Sequence, residues 1–220
     1  MQIGSLGIKI GMTQIFDVEK NVAIPVTLIK VGPSIVTHIK TKEKDGYDAI
    51  QLGFGFIVNN GESTYTKTNK PEKGHLQRSN VSSCSYLCEY KVPNLEQYSI
   101  GQIIDVNIFE NGQFVDVIGK TIGKGFCGTV KRYNFGRGPM SHGSKNHRAP
   151  GSIGAGSTPG RVYPGKRMAG RKGGIQATIK NLQIIKIHSE ESIVAVHGAI
   201  PGKSGNIVNL IPSFRNKRTS

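Results

Sequence analysis

The sequence of 220 residues contains no tryptophan and, over one stretch of 73 residues, no acidic residue. This acid-free stretch runs from residue 117 to residue 189 and carries 14 Lys or Arg and 15 Gly. A surface without carboxylates can meet a polyanion without like-charge repulsion, and glycines let the backbone come close to it. The stretch therefore predicts a nucleic-acid partner.

Cysteine is also scarce, and Cys84, Cys88 and Cys127 form no regular framework. An odd, irregular set predicts a reducing compartment. Cys84 and Cys88 are spaced as C-x-x-x-C, but no second Cys/His pair lies at finger spacing, so we expect two small, partly buried thiols and no metal site.

The sequence shows no pattern typical of a membrane span or of a targeting peptide. No run approaches the ~18 consecutive apolar residues of a membrane span, which argues against a membrane partner. The first residues show neither a basic segment followed by an apolar one nor an Arg/Ser-rich composition, so we expect no signal or transit peptide here.

The charge is divided unevenly. Residues 1–116 hold 11 Lys/Arg against 12 Asp/Glu, whereas residues 117–220 hold 18 against 2, and the whole chain carries +15. Solubility needs far less charge than this. The hydrophobic content is 36%, which predicts that part of the chain adds little to a core.

Short runs rich in Ile, Val and Leu, separated by turn residues, predict a mainly β fold. The runs lie at residues 3–10, 22–31, 35–39, 49–54, 100–109, 114–118, 175–187, 192–196 and 207–211. Residues 11–13 predict a turn, and Asn111-Gly112 between two alternating runs predicts a β-hairpin. Residues 59–92 are polar and predict a surface excursion with a short helix.

The segment from residue 119 to residue 174 has almost no periodicity. Loops longer than about 12–15 residues are rare inside compact domains and are usually functional or disordered. We interpret this one as an extension that becomes ordered on its partner. The basic residues 215–218 predict a disordered tail.

Three patterns in the basic half resemble catalytic or cofactor motifs without completing them. Residues 123–128 match G-x-G-x-x-G but have no acid about 20 residues on to hold a ribose. Residues 160–167 approach a P-loop but place Arg167 where a Ser or Thr must hold magnesium. His142 and His147 have no nearby carboxylate to orient them, so we expect no catalytic residue.

RNA binding is the interpretation that remains. Arg grips phosphate bidentately and stacks on bases, while Lys acts as a point charge. Phe126, Tyr133, Phe135 and Tyr163 are aromatics that could stack on unpaired bases, and we expect Phe126 to anchor the segment to the core instead. The predicted RNA-binding residues are Lys9, Lys124, Lys131, Arg132, Tyr133, Arg137, His142, Lys145, His147, Arg148, Arg161, Lys166, Arg167, Arg171 and Lys172.

Motifs that span nearly the whole chain occur in one characteristic order. They lie at residues 7–16, 123–126, 128–132, 141–144, 147–154, 158–162, 165–170 and 198–202. In this order they resemble the L-three family of large-subunit ribosomal proteins, of bacterial or plastid type. Two positions differ from many members: Tyr133 stands where many bacterial members have Trp, and Ala155 stands where some carry a methylated Gln, so it offers no amide to modify.

The resemblance implies a mainly β fold. It would consist of a translation-protein-type β-barrel forming one discontinuous domain over residues 1–220, with an inserted α+β subdomain at 41–95. It also implies a long, largely irregular basic finger at 124–174 and a basic tail at 213–220. The finger would be threaded through ribosomal RNA towards the peptidyl-transferase centre, and the protein would act early in assembly and not as the catalyst.

The implied partners are large-subunit ribosomal RNA and neighbouring large-subunit proteins, without a cofactor, metal, membrane or small-molecule substrate. The implied location is the ribosome, in a plastid stroma or a bacterial cytoplasm, with the plastid favoured. The alternative function is an RNA-modifying enzyme with a basic docking arm.

Overall fold

The structure is a computed structural model that describes residues 3–17, 21–55, 69–77 and 84–213. Strands dominate these ranges. The strands are β1 Ser5–Asp17, β2 Val22–Lys30, β3 Ser34–Lys40, β4 Ala49–Phe54, β5 Tyr86–Lys91, β6 Ile103–Ile104, β7 Phe114–Lys120, β8 Phe126–Cys127, β9 Gly170–Arg171, β10 Gln176–His188, β11 Ile193–His197 and β12 Ile207–Pro212. The helices are α1 Lys42–Asp45, α2 Lys70–Gln77 and α3 Thr129–Tyr133, with a 3-10 turn at Val106–Ile108.

Six strands close into an antiparallel barrel in the order β1-β12-β7-β10-β11-β2. The alternation in β7 shows how a barrel strand faces the core: Val115, Val117 and Gly119 are buried, while the residues between them are partly exposed. The inward residues of neighbouring strands, among them Val208 and Leu210, meet in one apolar core. Full burial of each Val contributes roughly 1.5–3 kcal/mol relative to exposure.

A second antiparallel sheet has the order β5-β4-β3-β6 and a core of its own. It takes β4 and β5 from residues 41–95, and β3 and β6 from outside that range. All six residues of β4 are buried. Tyr90 of β5 is buried in this core, and its hydroxyl donates to Asn209 Oδ1 of the barrel strand β12 at 2.6 Å.

The expected hairpin at Asn111-Gly112 is wrong. Gly112 adopts φ +82° and Gln113 N donates to Glu110 O at 3.2 Å, so a turn forms as predicted. However, β6 before it pairs with β3, whereas β7 after it pairs with β10 and β12. The alternating run at 100–109 serves two cores, because Ile104 is buried in the second sheet while Val106 and Phe109 are buried in the barrel.

The expected turn at residues 11–13 is also wrong. β1 continues through this segment to Asp17, with a register shift between Lys9 and Gly11 against β2. A β-bulge bends a strand without ending it, which accounts for the weak turn signal in the sequence.

The polar excursion at 59–92 contains the expected short helix, α2, and also a strand, β5, that its composition did not predict. Within β5 only Tyr90 is fully buried, so the strand lacks a clear apolar alternation. Residues 59–68 and 78–83 of this region, and the predicted tail from residue 214, lie outside the described residues.

The chain divides into two compact units. One comprises Met1–Lys120 with Gln176–Ser220, and the other, which we call the basic unit, comprises Thr121–Ile175. The basic unit connects β7 to β10 in the chain. Across the described ranges no helix is long and apolar enough to cross a membrane.

Candidate nucleic-acid interface

The base of the basic unit is held by main-chain bonds between its outgoing and returning segments. Lys124 N donates to Lys172 O at 2.8 Å, and Lys172 N donates to Gly125 O at 3.0 Å. Phe126 and Cys127 of β8 pair with Arg171 and Gly170 of β9. This short two-stranded sheet gives order to a segment whose sequence showed almost no periodicity.

The short helix α3 follows β8 and presents Arg132. The Nη1 of this residue donates to Met168 O at 2.7 Å, so its guanidinium joins the helix to the returning segment. Lys172 Nζ donates to the carbonyl oxygens of Lys131 and Arg132 at the end of α3. A cation at a helix C-terminus satisfies carbonyls that have no partner within the helix.

Tyr133 lies beside two cationic groups. The guanidinium carbons of Arg132 and Arg167 lie 4.9 and 5.7 Å from the centre of its ring. Phe135 lies 6.3 Å away, ring centre to ring centre. Guanidinium groups are attracted to the electron-rich ring face, so the ring orients two arginines that would otherwise repel each other. Stacking of Tyr133 on a base stays a prediction.

Beyond the base, the chain forms an irregular loop that is closed by contacts between Gly138 and the segment around His147. Gly138 N donates to His147 O at 3.0 Å, and His147 Nδ1 lies 3.0 Å from Pro139 O. A Cβ at Gly138 would overlap the Asn146 carbonyl oxygen. This close approach shows that Gly138 allows the two segments to pack within the unit.

Most of the basic side chains of this unit project into solvent. The unit contains 11 Lys or Arg and no Asp or Glu, so its cations have no carboxylate of their own to pair with. The exposed members of the predicted set are Lys124, Lys131, Arg137, His142, Lys145, His147, Arg148, Arg161, Lys166, Arg167 and Arg171, while Arg132, Tyr133 and Lys172 are half-buried. Fourteen of the fifteen predicted site residues thus lie in one unit.

Lys9 is the exception. It lies in β1, buried, and its Nζ donates to Ile200 O at 3.0 Å and Gly202 O at 2.9 Å. Its ammonium therefore fastens the turn before β12 to the barrel. Because these carbonyls occupy the ammonium, we remove Lys9 from the proposed set of RNA contacts. The neighbouring sequence shows no sign of the two contacts.

The prediction for Phe126 is also wrong, because a residue expected to be buried is exposed. The ring was expected to anchor the segment in the core, yet it is 80% exposed. Its neighbour Cys127 is buried instead and donates its thiol to Lys124 O. In a strand of two residues the side chains point to opposite sides, so only one of them can face inward.

Asn134 is a structural residue of the unit that the sequence analysis missed. It adopts φ +60° at the C-terminus of α3, and its N–H donates to Val130 O. Asparagine is enriched in the left-handed region, so the Asn itself was an available signal for the end of a short helix.

The motif-like segments carry no catalytic arrangement. Residues 123–128 form β8 and the approach to a five-residue helix, and residues 160–167 are exposed and have no assigned strand or helix. Cys84 is buried, and burial raises the pKa of its thiol to about 11, so it stays protonated at neutral pH. In the ranges that the structure describes, no group of three or more His, Cys, Asp or Glu could hold a metal ion.

Comparison with known proteins decides the family. The model of the family "Ribosomal protein L3" matches residues 80–195. The large ribosomal subunit protein uL3c of Phaeodactylum tricornutum is 53% identical over 213 residues, which are 97% of this chain and 100% of that protein. The chain belongs to the ribosomal protein L3 family.

Relatives in cyanobacteria are equally similar. The large ribosomal subunit protein uL3 of Nostoc punctiforme is 55% identical, and that of Picosynechococcus is 52% identical, each over 97% of this chain. Family membership makes the chain a ribosomal protein of the large subunit and a structural constituent, not an enzyme. Its location is accordingly the ribosome, in a plastid or in a bacterial cytoplasm.

Proposed function

We propose that this L3-family chain binds large-subunit ribosomal RNA directly through its basic unit. The observation that carries the proposal is the set of exposed cations in a unit that contains no carboxylate. The cations of such a surface repel one another, so binding to a partner of dense negative charge stabilises the surface most. Phosphates supply that charge, and the release of their counterions drives association.

The geometry of the base supports a division of labour within the unit. Arg132, Tyr133 and Lys172 are partly used in internal contacts, which fix the two segments of the chain against each other. Arg148, Arg161 and Lys166 are exposed and are left to contact phosphates. The first group positions the two chain segments, and the second group binds phosphate.

The finer assignments are part of the same proposal. The barrel is of the translation-protein type within one discontinuous domain, residues 41–95 form an inserted subdomain, and residues 124–174 form a finger that reaches towards the peptidyl-transferase centre. The protein joins the subunit early in assembly and contacts neighbouring large-subunit proteins. The plastid is the favoured compartment.

Sedimentation tests this function. The full chain, added in excess to large subunits that lack it, should co-sediment at one copy per subunit and resist a low-salt wash. Substoichiometric recovery, or equal recovery with small subunits, would contradict a structural role in the large subunit.

A further inference from the structure

The strands β1 and β2 form a two-stranded ribbon that carries exposed apolar side chains. We define the β1–β2 ribbon as residues 11–17 and 22–28, which pair from Gly11↔Leu28 to Asp17↔Val22. The barrel partner of β1 pairs with Ser5 to Ile8, before the ribbon begins. The barrel partner of β2 reaches Val26. The outer part of the ribbon therefore extends past both neighbouring strands.

One face of this ribbon is apolar and open. Directly paired residues share a face, and successive residues alternate. Met12, Gln14 and Phe16 of β1 thus share one side with Ala23, Pro25 and Thr27 of β2. All of these except Thr27 are exposed, with Phe16 at 67% and Met12 at 53%. Large apolar side chains grouped on one face commonly mark an interaction site.

The charge of the ribbon argues against RNA as its partner. Its 14 residues include no Lys or Arg, in a chain whose net charge is +15. The connection between its strands adds Glu19 and Lys20, one charge of each sign. Phosphate contacts require cations or donor groups in number, which this face does not offer. Self-association is opposed by the net charge of the chain.

The edge of the ribbon shows how a partner would attach. The outer edge of β1 is bonded as far as Lys9, where Lys9 N donates to Asn206 O and Gly205 N donates to Lys9 O. Among the described residues no strand pairs with this edge from Gly11 to Phe16. The outer edge of β2 carries Pro25, which cannot donate. An added strand would therefore lie along β1.

We propose that the β1–β2 ribbon is a protein-docking site, at which an uncharged or apolar strand of a neighbouring large-subunit protein pairs with residues 11–16 of β1 and covers Met12 and Phe16. Main-chain bonds to the open edge would give affinity, and the apolar side chains would give specificity. The inference rests on the proposed function, because it takes the neighbour to be a protein of the same subunit.

Cross-linking inside the assembled particle tests the chemistry of the partner. A photoreactive phenylalanine analogue replaces Phe16 in the full chain, and in a matched chain it replaces Tyr163, which is 61% exposed in the basic unit. We expect position 16 to cross-link to a ribosomal protein and position 163 to ribosomal RNA. A cross-link from position 16 to RNA or to a second copy, or none at all, would overturn the proposal.

A binding comparison tests the side chains. The double variant Met12→Ser, Phe16→Ser should bind protein-containing large-subunit particles that lack this chain about tenfold more weakly than the unchanged chain, as expected for removal of interface anchors. Its affinity for naked large-subunit RNA should stay within about twofold, since the ribbon offers no cation to phosphate. Ile100→Ser removes an exposed apolar side chain outside the ribbon and should change neither.

The two binding arms separate the possible failures. Equal losses on the particle and on naked RNA would assign the ribbon to RNA, and no loss on either would leave it without a partner; both results overturn the inference. If the unchanged chain does not bind naked RNA, the proposed function fails, while the ribbon is still judged by the particle arm. Thermal unfolding checks that the variants keep their fold.

Discussion

The Nη1 atom of Arg132 donates to the carbonyl oxygen of Met168 at 2.7 Å, across 36 residues of a chain segment that contains no acid. A guanidinium has five N–H donors, so one can hold the main chain while others face a phosphate. The same side chain thus positions the unit and contributes to its charge. A lysine in this place has a compact ammonium without a planar fork. It therefore cannot bond the Met168 carbonyl and face a phosphate in the way that a guanidinium can.

Replacement of Arg132 should therefore not be rescued by charge alone. We expect Arg132→Lys to weaken binding to large-subunit RNA by about 1–2 kcal/mol, close to the effect of Arg132→Ala, because an ammonium bonded to the Met168 carbonyl has no planar fork left to face a phosphate. Titration of labelled RNA at fixed salt measures the affinity. Full retention of affinity by the lysine variant would show that only the charge matters.

Tyr133 gives a second prediction, which separates the ring from its hydroxyl. Tyr133→Phe keeps the ring beside Arg132 and Arg167 and should bind RNA as the unchanged chain does. Tyr133→Ala removes the ring and should lose about 0.5–2 kcal/mol of affinity. The same titration reads both variants. Equal losses in the two would point to the hydroxyl and contradict the cation–π account.

Two nearby glycines make a matched pair. A Cβ at Gly138 would overlap the Asn146 carbonyl, whereas a Cβ at Gly136 meets nothing within 4 Å. Gly138→Ala should displace the segment around His147, at a local packing cost of about 1–3 kcal/mol, and should therefore lower RNA affinity. Gly136→Ala should have little effect. Thermal unfolding by circular dichroism should show the same main transition for both, and a reversed order of affinities would contradict the packing account.

Lys9 should matter for stability and not for RNA. In Lys9→Met the apolar stem is kept, but the carbonyls of Ile200 and Gly202 lose a donor. We expect the free energy of unfolding to fall by about 1–3 kcal/mol. Urea denaturation measures this, and RNA titration should give an unchanged affinity. Loss of affinity without loss of stability would restore Lys9 as an RNA contact.

The sequence allowed most of the barrel strands to be predicted, because their residues alternate between buried and exposed positions. Val115 and Val117 of β7 are an example, because their apolar, alternating positions are enough to predict that they are buried. The hairpin predicted from the run at residues 100–109 was wrong for a physical reason. The apolar residues of this run alternate as in one strand, but they belong to two cores. Only the tertiary structure separates Ile104 from Val106.

The candidate site was predictable in its location but not in its internal roles. The absence of acid from residue 117 to residue 189 is visible in the sequence, and it marks the basic unit. Which cations are free depends on contacts between residues far apart in the chain. Lys172, for instance, reaches the carbonyl of Arg132, and Lys9 reaches the carbonyl of Gly202. No local pattern encodes such pairs.

The salt dependence of RNA binding tests the central claim most directly. The full chain and a chain lacking residues 131–172 are titrated with large-subunit RNA over a range of salt concentrations. The logarithm of affinity should fall steeply with the logarithm of salt for the full chain, at about −0.7 to −0.9 per phosphate contacted. The shortened chain should remain folded and give a much shallower slope; identical slopes for the two chains would contradict the account.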